Sequence, residues 1–200
     1  MRRLLRLALL PLLATMVGAA DDAPTAQTEM LGIDLPDQFE VGHQARDASM
    51  QMLEIVDPPE TVDNWTKLVT VQLIFGLASG STAEDFYSGW LEAVRTSCPG
   101  TEEALIKGTV DGKAAIRATL SCPNDPETGK PQNIEAFLVR GDVNVMVVRL
   151  AFRHALGEED KALIERVAHS LKVCDQRTLS ACSEREATGF LPSAGRMSGR

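Results

Sequence analysis

The sequence predicts an α+β domain, a mostly antiparallel sheet of about six to seven strands with two main helices packed on it. Three observations predict this class. Asn64–Phe75 (NWTKLVTVQLIF) alternates apolar and polar residues with a period of two and is rich in β-branched side chains, the pattern of a half-buried strand. Later strand-like runs meet at Asp111-Gly112 and Gly141-Asp142, short connections that force antiparallel pairing. Two stretches, Thr82–Thr96 and Glu158–Leu171, space their apolar residues as amphipathic helices do.

The 200 residues suit one domain with loose ends. Met1–Ala20 lies outside it. Its basic start (Arg2, Arg3, Arg6), apolar run from Leu4 to Leu13 and small-residue end Gly18-Ala19-Ala20 read as a cleaved secretory signal peptide. The apolar run is too short for a bilayer span, and no other stretch is apolar enough for one. Arg2-Arg3 lacks the context of a twin-arginine signal, and no cysteine sits at the cleavage site to carry a lipid. The mature protein is therefore expected in the periplasm or outside the cell, without integral membrane association.

Asp21–Leu35 reads as a flexible lead-in, and the domain proper as residues 36–182. Phe39–Arg46 is a weak strand with Phe39, Val41 and His43 on one face; Ser49–Val56 is a second, turned at Asp47-Ala48. Asp57-Pro58-Pro59-Glu60 breaks the run, because proline cannot donate to a ladder. In the strand that follows, Val69, Val71, Leu73 and Phe75 oppose Thr66, Thr70 and Gln72. Gly76–Gly80 makes a turn, and Ser81 with Glu84 or Thr82 with Asp85 can form a capping box. The helix then carries Phe86, Trp90 and Val94 as its apolar stripe, with Tyr87 and Leu91 beside it, and Pro99 ends it.

Ala104–Val110 and Lys113–Cys122 form a hairpin across Asp111-Gly112, a pair suited to the type I′ turn. Pro123–Gln132 is a polar loop. Asn133–Arg140 and Val143–Phe152 pair across Gly141-Asp142, and the second, VNVMVVRLAF, is apolar on both faces and so is placed centrally. The helix Glu158–Leu171 closes the domain through Leu163, Ile164, Val167 and Leu171, with acids in its first turn as the dipole favours. Ser183–Arg200 reads as a disordered tail.

Loss of the signal peptide leaves 17 Lys and Arg against 28 Asp and Glu, a net charge of −11. Nucleic acid and anionic membrane surfaces are poor partners for such a chain, since both need clustered cations. Cys98, Cys122, Cys174 and Cys182 form no Cys-x-x-Cys pair, and an even count in an exported chain points to disulfides. Three pairings are possible. Cys98 continues the stripe of Phe86, Trp90 and Val94, and Cys122 continues the face of Ile116, Ala118 and Leu120. Both face the helix–sheet interface, which selects Cys98–Cys122 and leaves Cys174–Cys182 to pin the chain after the closing helix.

Several residues have the chemistry for a site. His43, His154 and His169 have no sequence partners that mark a triad or a metal set. Glu158-Glu159-Asp160 reads as a solvated helical turn, Arg140-Gly141-Asp142 as a hairpin, and the sequon Asn64-Trp65-Thr66 as the start of a strand. No Gly-x-Ser-x-Gly, Walker or Gly-x-Gly-x-x-Gly pattern occurs, so neither catalytic residues nor a cofactor are assigned. Trp90 reads as core. Trp65 is a packed residue or an exposed binding anchor.

The Trp-Thr-Lys core (Trp65-Thr66-Lys67), the helix closed by Cys98-Pro99-Gly100, and Cys122-Pro123 before the Gly129-Lys130-Pro131 loop resemble a group of uncharacterised secreted bacterial proteins. The element order is similar to the PsbP-like and DcrB-like α+β fold. The resemblance spans Leu35 to Cys182 and implies a soluble, non-enzymatic accessory or binding protein that meets an envelope protein or a small ligand. Two other readings remain open: a hydrolase whose carboxylates and histidine converge only in three dimensions, and a carrier with an apolar pocket between helix and sheet.

Overall fold

The computed structural model of the protein describes residues 29–126, 128–175, 182 and 187–193. The expected signal peptide, residues 21–28 of the lead-in, and residues 183–186 and 194–200 of the expected tail lie outside the described residues. Among these residues ten strands and two α-helices follow in the order β1 (Glu29–Gly32), β2 (Glu40–Arg46), β3 (Met50–Val56), β4 (Lys67–Ile74), α1 (Ala83–Ser97), β5 (Glu102–Val110), β6 (Lys113–Cys122), β7 (Gln132–Arg140), β8 (Val145–Phe152), α2 (Glu158–Ser170), β9 (Lys172–Asp175) and β10 (Leu191–Pro192).

Eight strands form one antiparallel sheet in the order β10-β5-β6-β7-β8-β4-β3-β2. Two meanders, β2-β3-β4 and β5-β6-β7-β8, are joined edge to edge by the β4–β8 pair. The apolar β8 is central, as its sequence predicts. The sheet exceeds the expected six to seven strands because β10 adds itself to the β5 edge.

The helices cover opposite faces. On one face α2 packs Leu163, Ile164, Val167 and Leu171 against Val69, Phe137, Val148 and Leu150. On the other, α1 packs Tyr87 and Leu91 against Ile116, Leu120, Ile134 and Leu138. Alternate residues of β7 and β8 thus enter different cores, which is why both strands carry apolar residues on both faces.

The segment expected as a flexible lead-in contributes structure. Its β1 pairs with β9, and the Glu29 carboxylate accepts N–H bonds from Asp142, Val143 and Asn144 at 2.8–3.0 Å, closing the β7–β8 turn. The segment expected as a disordered tail also packs where it is described. Phe190 meets the Phe137 ring edge-on at 6.1 Å, and Leu191 and Pro192 pair with Thr109 and Gly108. Gly108 is required there, since a Cβ would lie 2.4 Å from the Leu191 carbonyl oxygen.

The Asp111-Gly112 turn has positive φ at both residues, 51° and 73°. The Asp111 carboxylate accepts the Val173 N–H at 2.6 Å and the Thr188 hydroxyl at 2.9 Å, so one turn secures β9 and the returning chain. Thr82 and Asp85 form the capping box of α1.

One face assignment needs correction. The buried stripe of α1 is Ala83, Tyr87 and Leu91, while Phe86, Trp90 and Val94 lie partly buried beside it. Small Ala83 lets the helix approach the sheet. Burial of Tyr87 is possible because its hydroxyl donates to Glu103 at 3.1 Å. Burial and the Glu103 charge together push the Tyr87 hydroxyl well above its ordinary pKa. Cys98 is buried and bonded to Cys122, with Cα atoms 5.9 Å apart, and Cys174 is bonded to Cys182 at 5.6 Å.

Candidate functional site

Strand register builds a polar row across the α1 face. Ala118, Ala136, Arg149, Thr70 and Glu54 stand side by side on β6, β7, β8, β4 and β3. The two alanines leave room for the long arginine. The next row, Leu120, Ile134, Ala151, Leu68 and Val56, is apolar. Beyond it Arg153 follows the end of β8, where its N–H donates to the Thr66 carbonyl at 2.9 Å. Two arginines on one face of the chain therefore flank an apolar floor, with Cα atoms separated by about 13 Å at the rise of an extended strand.

Each guanidinium is held in place. Arg149 donates from Nη2 to the Thr70 hydroxyl at 3.1 Å, and Arg153 stacks over Trp65 at 3.8 Å from the ring centroid. Trp65 is only 8% exposed. The candidate binding anchor is thus a packed residue, and it serves as the platform for Arg153. Its position is fixed by Glu60, whose carboxylate accepts the N–H groups of Thr66 at 2.9 Å and Lys67 at 3.2 Å as well as the Thr66 hydroxyl.

Both arginines retain unused donors. The Nε of Arg149 and of Arg153 is buried and has no hydrogen-bond partner among the described residues. An unmade bond of this kind costs about 1–3 kcal/mol. Burial pushes the Arg149 guanidinium below its ordinary pKa, opposed by the charge of Glu54, yet the group remains a cation at neutral pH. Trp65, Leu68, Gln132, Arg149 and Arg153 line a cavity of about 620 Å³ between the sheet and the C-terminal turn of α1, which Glu54 and Asp125 also border. Arg149 also lines an adjoining compartment of about 180 Å³ walled by Trp90, Val94, Leu120, Ile134 and the Cys98–Cys122 disulfide. The interface between α1 and the sheet is therefore open at this end.

The expected histidines fall elsewhere. His43 lies on the exposed edge strand β2, where the pairing shifts between Val41 and His43, so its predicted apolar face is not buried. His169 bonds to the Glu165 carbonyl of its own helix at 2.7 Å. His154 lies 2.9 Å from the Asp160 carboxylate, and Lys67 lies 3.2 Å from the same group. The expected solvated acid turn thus needs correction at one position. Glu158 and Glu159 are exposed, but Asp160 is 4% exposed. Asp160 Oδ2 also accepts the Gly157 N–H at 2.8 Å and caps α2. Burial raises the Asp160 pKa, but the bonds from Gly157, His154 and Lys67 outweigh it and hold the carboxyl below its ordinary value. One buried acid serving as a helix cap is not the acidic pair that a hydrolase site at His154 would use.

A cavity of about 440 Å³ on the α2 side, lined by Phe39, Asp57, Lys67, Leu163 and Arg166, has its cations already paired. Lys67 meets Asp160, and Arg166 meets Asp34 at 3.0 Å. Among the described residues no cluster of three or more His, Cys, Asp or Glu could hold a metal ion, and no helix is long and apolar enough to cross a membrane.

Sequence reasoning missed Arg149. Its signal was present: it is the only charged residue within Val143–Phe152, the most apolar run of the mature chain. An ionisable group inside a central strand is costly unless something uses it. Arg153 and its ring partner Trp65 are 88 residues apart, and no local pattern joins them.

No family model matches the chain, and no curated protein matches it. Solved structures do. One is a protein of unknown function, PA94, from Pseudomonas aeruginosa, with a TM-score of 0.42 and 14% identity over 66% of this chain and 80% of that one. Another is LpqN of Mycobacterium tuberculosis, described as involved in cell envelope biogenesis, with a TM-score of 0.40 and 11% identity over 77% of this chain and 87% of that one.

Proposed function

We propose that the chain is an exported, periplasmic binding or accessory protein without catalytic activity, on a PsbP-like or DcrB-like fold, and that it acts by taking a small anionic molecule into the cavity on the α1 face. One observation carries this reading: two partly exposed arginines border a single cavity, and each has a guanidinium N–H without an acceptor among the described residues. An oxyanion in the cavity accepts from the guanidinium N–H groups that face it, and charge-assisted bonds of this type are about twice as strong as neutral ones. Glu54 and Asp125 at the border limit the negative charge the site can take, which favours a single carboxylate or phosphate over a polyanion. The four cysteines paired in the structure fit an oxidising compartment.

The test is calorimetric titration of the mature protein with acetate and with inorganic phosphate. Saturable binding that weakens at least tenfold in both Arg149→Met and Arg153→Met is expected. Absence of saturable binding, or binding indifferent to both substitutions, overturns the reading.

A further inference from the structure

We infer that the ligand of this cavity carries a ring-sized apolar group joined to its oxyanion, so that the site selects aryl carboxylates or aryl phosphates over the bare anions. The inference rests on the proposed anion site and deepens it. Arg149 belongs to both compartments, so an oxyanion bound to its guanidinium stands at the mouth of the smaller one. The Trp90 ring, Val94, Leu120, Ile134 and a disulfide form the apolar part of that compartment's wall, which gains from contact with an apolar or aromatic group, while Asp125 and Gln132 line it as well. Its volume of about 180 Å³ sets the size of the group. An apolar cavity of about 150 Å³ accommodates one benzene ring. A ring fits, while a long acyl chain exceeds the space and would extend into the larger compartment beside Arg153. The disulfide fixes the wall, because it joins the end of α1 to the end of β6 and holds this compartment at its observed width.

The experiment titrates the mature protein with four probes in parallel: acetate, 3-phenylpropanoate, inorganic phosphate and phenyl phosphate, with dodecanoate as the long-chain comparison. Each aryl compound is expected to bind at least tenfold more tightly than its bare anion, and the better of the two pairs identifies carboxylate or phosphate as the head group. Val94→Phe fills the compartment from a partly buried position on α1 and is expected to abolish the aryl preference, read as the ratio of aryl to bare-anion affinity. Aryl probes binding no better than the bare anions overturns the inference and leaves the anion site standing. Dodecanoate binding tenfold more tightly than 3-phenylpropanoate overturns it in favour of a lipid chain. Failure of all five probes removes the anion site as well. Arg149→Lys keeps the charge without the planar fork and is expected to retain part of the affinity, which guards against reading a folding defect of Arg149→Met as a binding effect.

Discussion

On the α2 face Arg117 lies between the carboxylates of Glu135 and Glu165 and over the ring of Phe137, 5.4 Å from its centroid. Thr119 donates to the second oxygen of Glu135 at 2.7 Å, so that carboxylate, 4% exposed, has partners on both oxygens. On the α1 face Arg149 occupies the adjacent strand pair with one neutral hydroxyl as its acceptor and its Nε unfilled. The two faces use the same side chain for different ends. One builds a completed bridge that ties a helix to the sheet. The other leaves a cation under-satisfied beside open space. A folded protein retains such a group at a cost in stability, and the cost is intelligible where a ligand completes the bonds.

The most direct way to break this comparison is to remove each arginine in turn. Arg117→Met leaves Glu135 buried without its cation and is expected to cost about 3–4 kcal/mol. Arg149→Met removes an incompletely bonded cation and exchanges it for an apolar side chain of similar length. It is expected to change ligand-free stability by less than about 1 kcal/mol, with stabilisation the favoured sign. Urea unfolding of the two variants beside the wild type measures both. Equal losses would show that Arg149 is as fully engaged as Arg117 and would remove the reason to seek its partner in a ligand.

A second contrast concerns what holds each helix. Helix α2 is fastened by side-chain packing and by Arg117, while α1 is fastened at its C-terminal end by Cys98–Cys122. The closed loop has a sequence separation of 24 residues, for which chain entropy gives roughly 3.5 kcal/mol. Cys98→Ser with Cys122→Ser is therefore expected to lower stability by about that amount. It also lets the end of α1 drift from β6, so anion binding at Arg149 should weaken in the same double variant even where the protein stays folded. Loss of stability with undiminished binding would separate the disulfide from the cavity.

Much of the frame was legible because it is written locally. The central position of β8 follows from its two apolar faces, the Asp111-Gly112 turn from a dipeptide, and the α1 capping box from Thr82 and Asp85. Cys98–Cys122 followed from the faces on which the two residues fall. What was not legible depends on long-range register. The row Ala118, Ala136, Arg149, Thr70 and Glu54 draws on five strands spread over 96 residues of sequence. Nothing in any one strand announces the small neighbours that give Arg149 its room. Strands β1 and β10 were missed for a related reason. They are four and two residues long, and their pairing is fixed by the partner edge rather than by a pattern of their own. Gly108 shows the reciprocal half of that dependence, since its missing side chain is explained only by a segment more than eighty residues later.

The mildest contrast lies in acid sensitivity. On the α2 side Asp160 is held below the ordinary carboxyl pKa by the Gly157, His154 and Lys67 donors, which together outweigh the effect of burial. Its folded pKa is therefore lower than its unfolded one, and the stability it contributes is fully present above the unfolded value of about 3.9. That contribution falls away as pH drops below about 4 toward the folded pKa. Asp160→Ala removes both the cap acceptor and the titration and is expected to cost about 1 kcal/mol near neutrality, in the range of lost helix caps. The gap between wild type and variant should then narrow steadily as unfolding is repeated from pH 5 to pH 2. A gap that stays constant across that range would mean that Asp160 contributes through shape alone. Among the described residues no carboxylate on the α1 face accepts a hydrogen bond from the cavity arginines, so Arg149→Met should show no comparable narrowing over the same pH range. If it does, Glu54 rather than a ligand is the partner that Arg149 was built to meet.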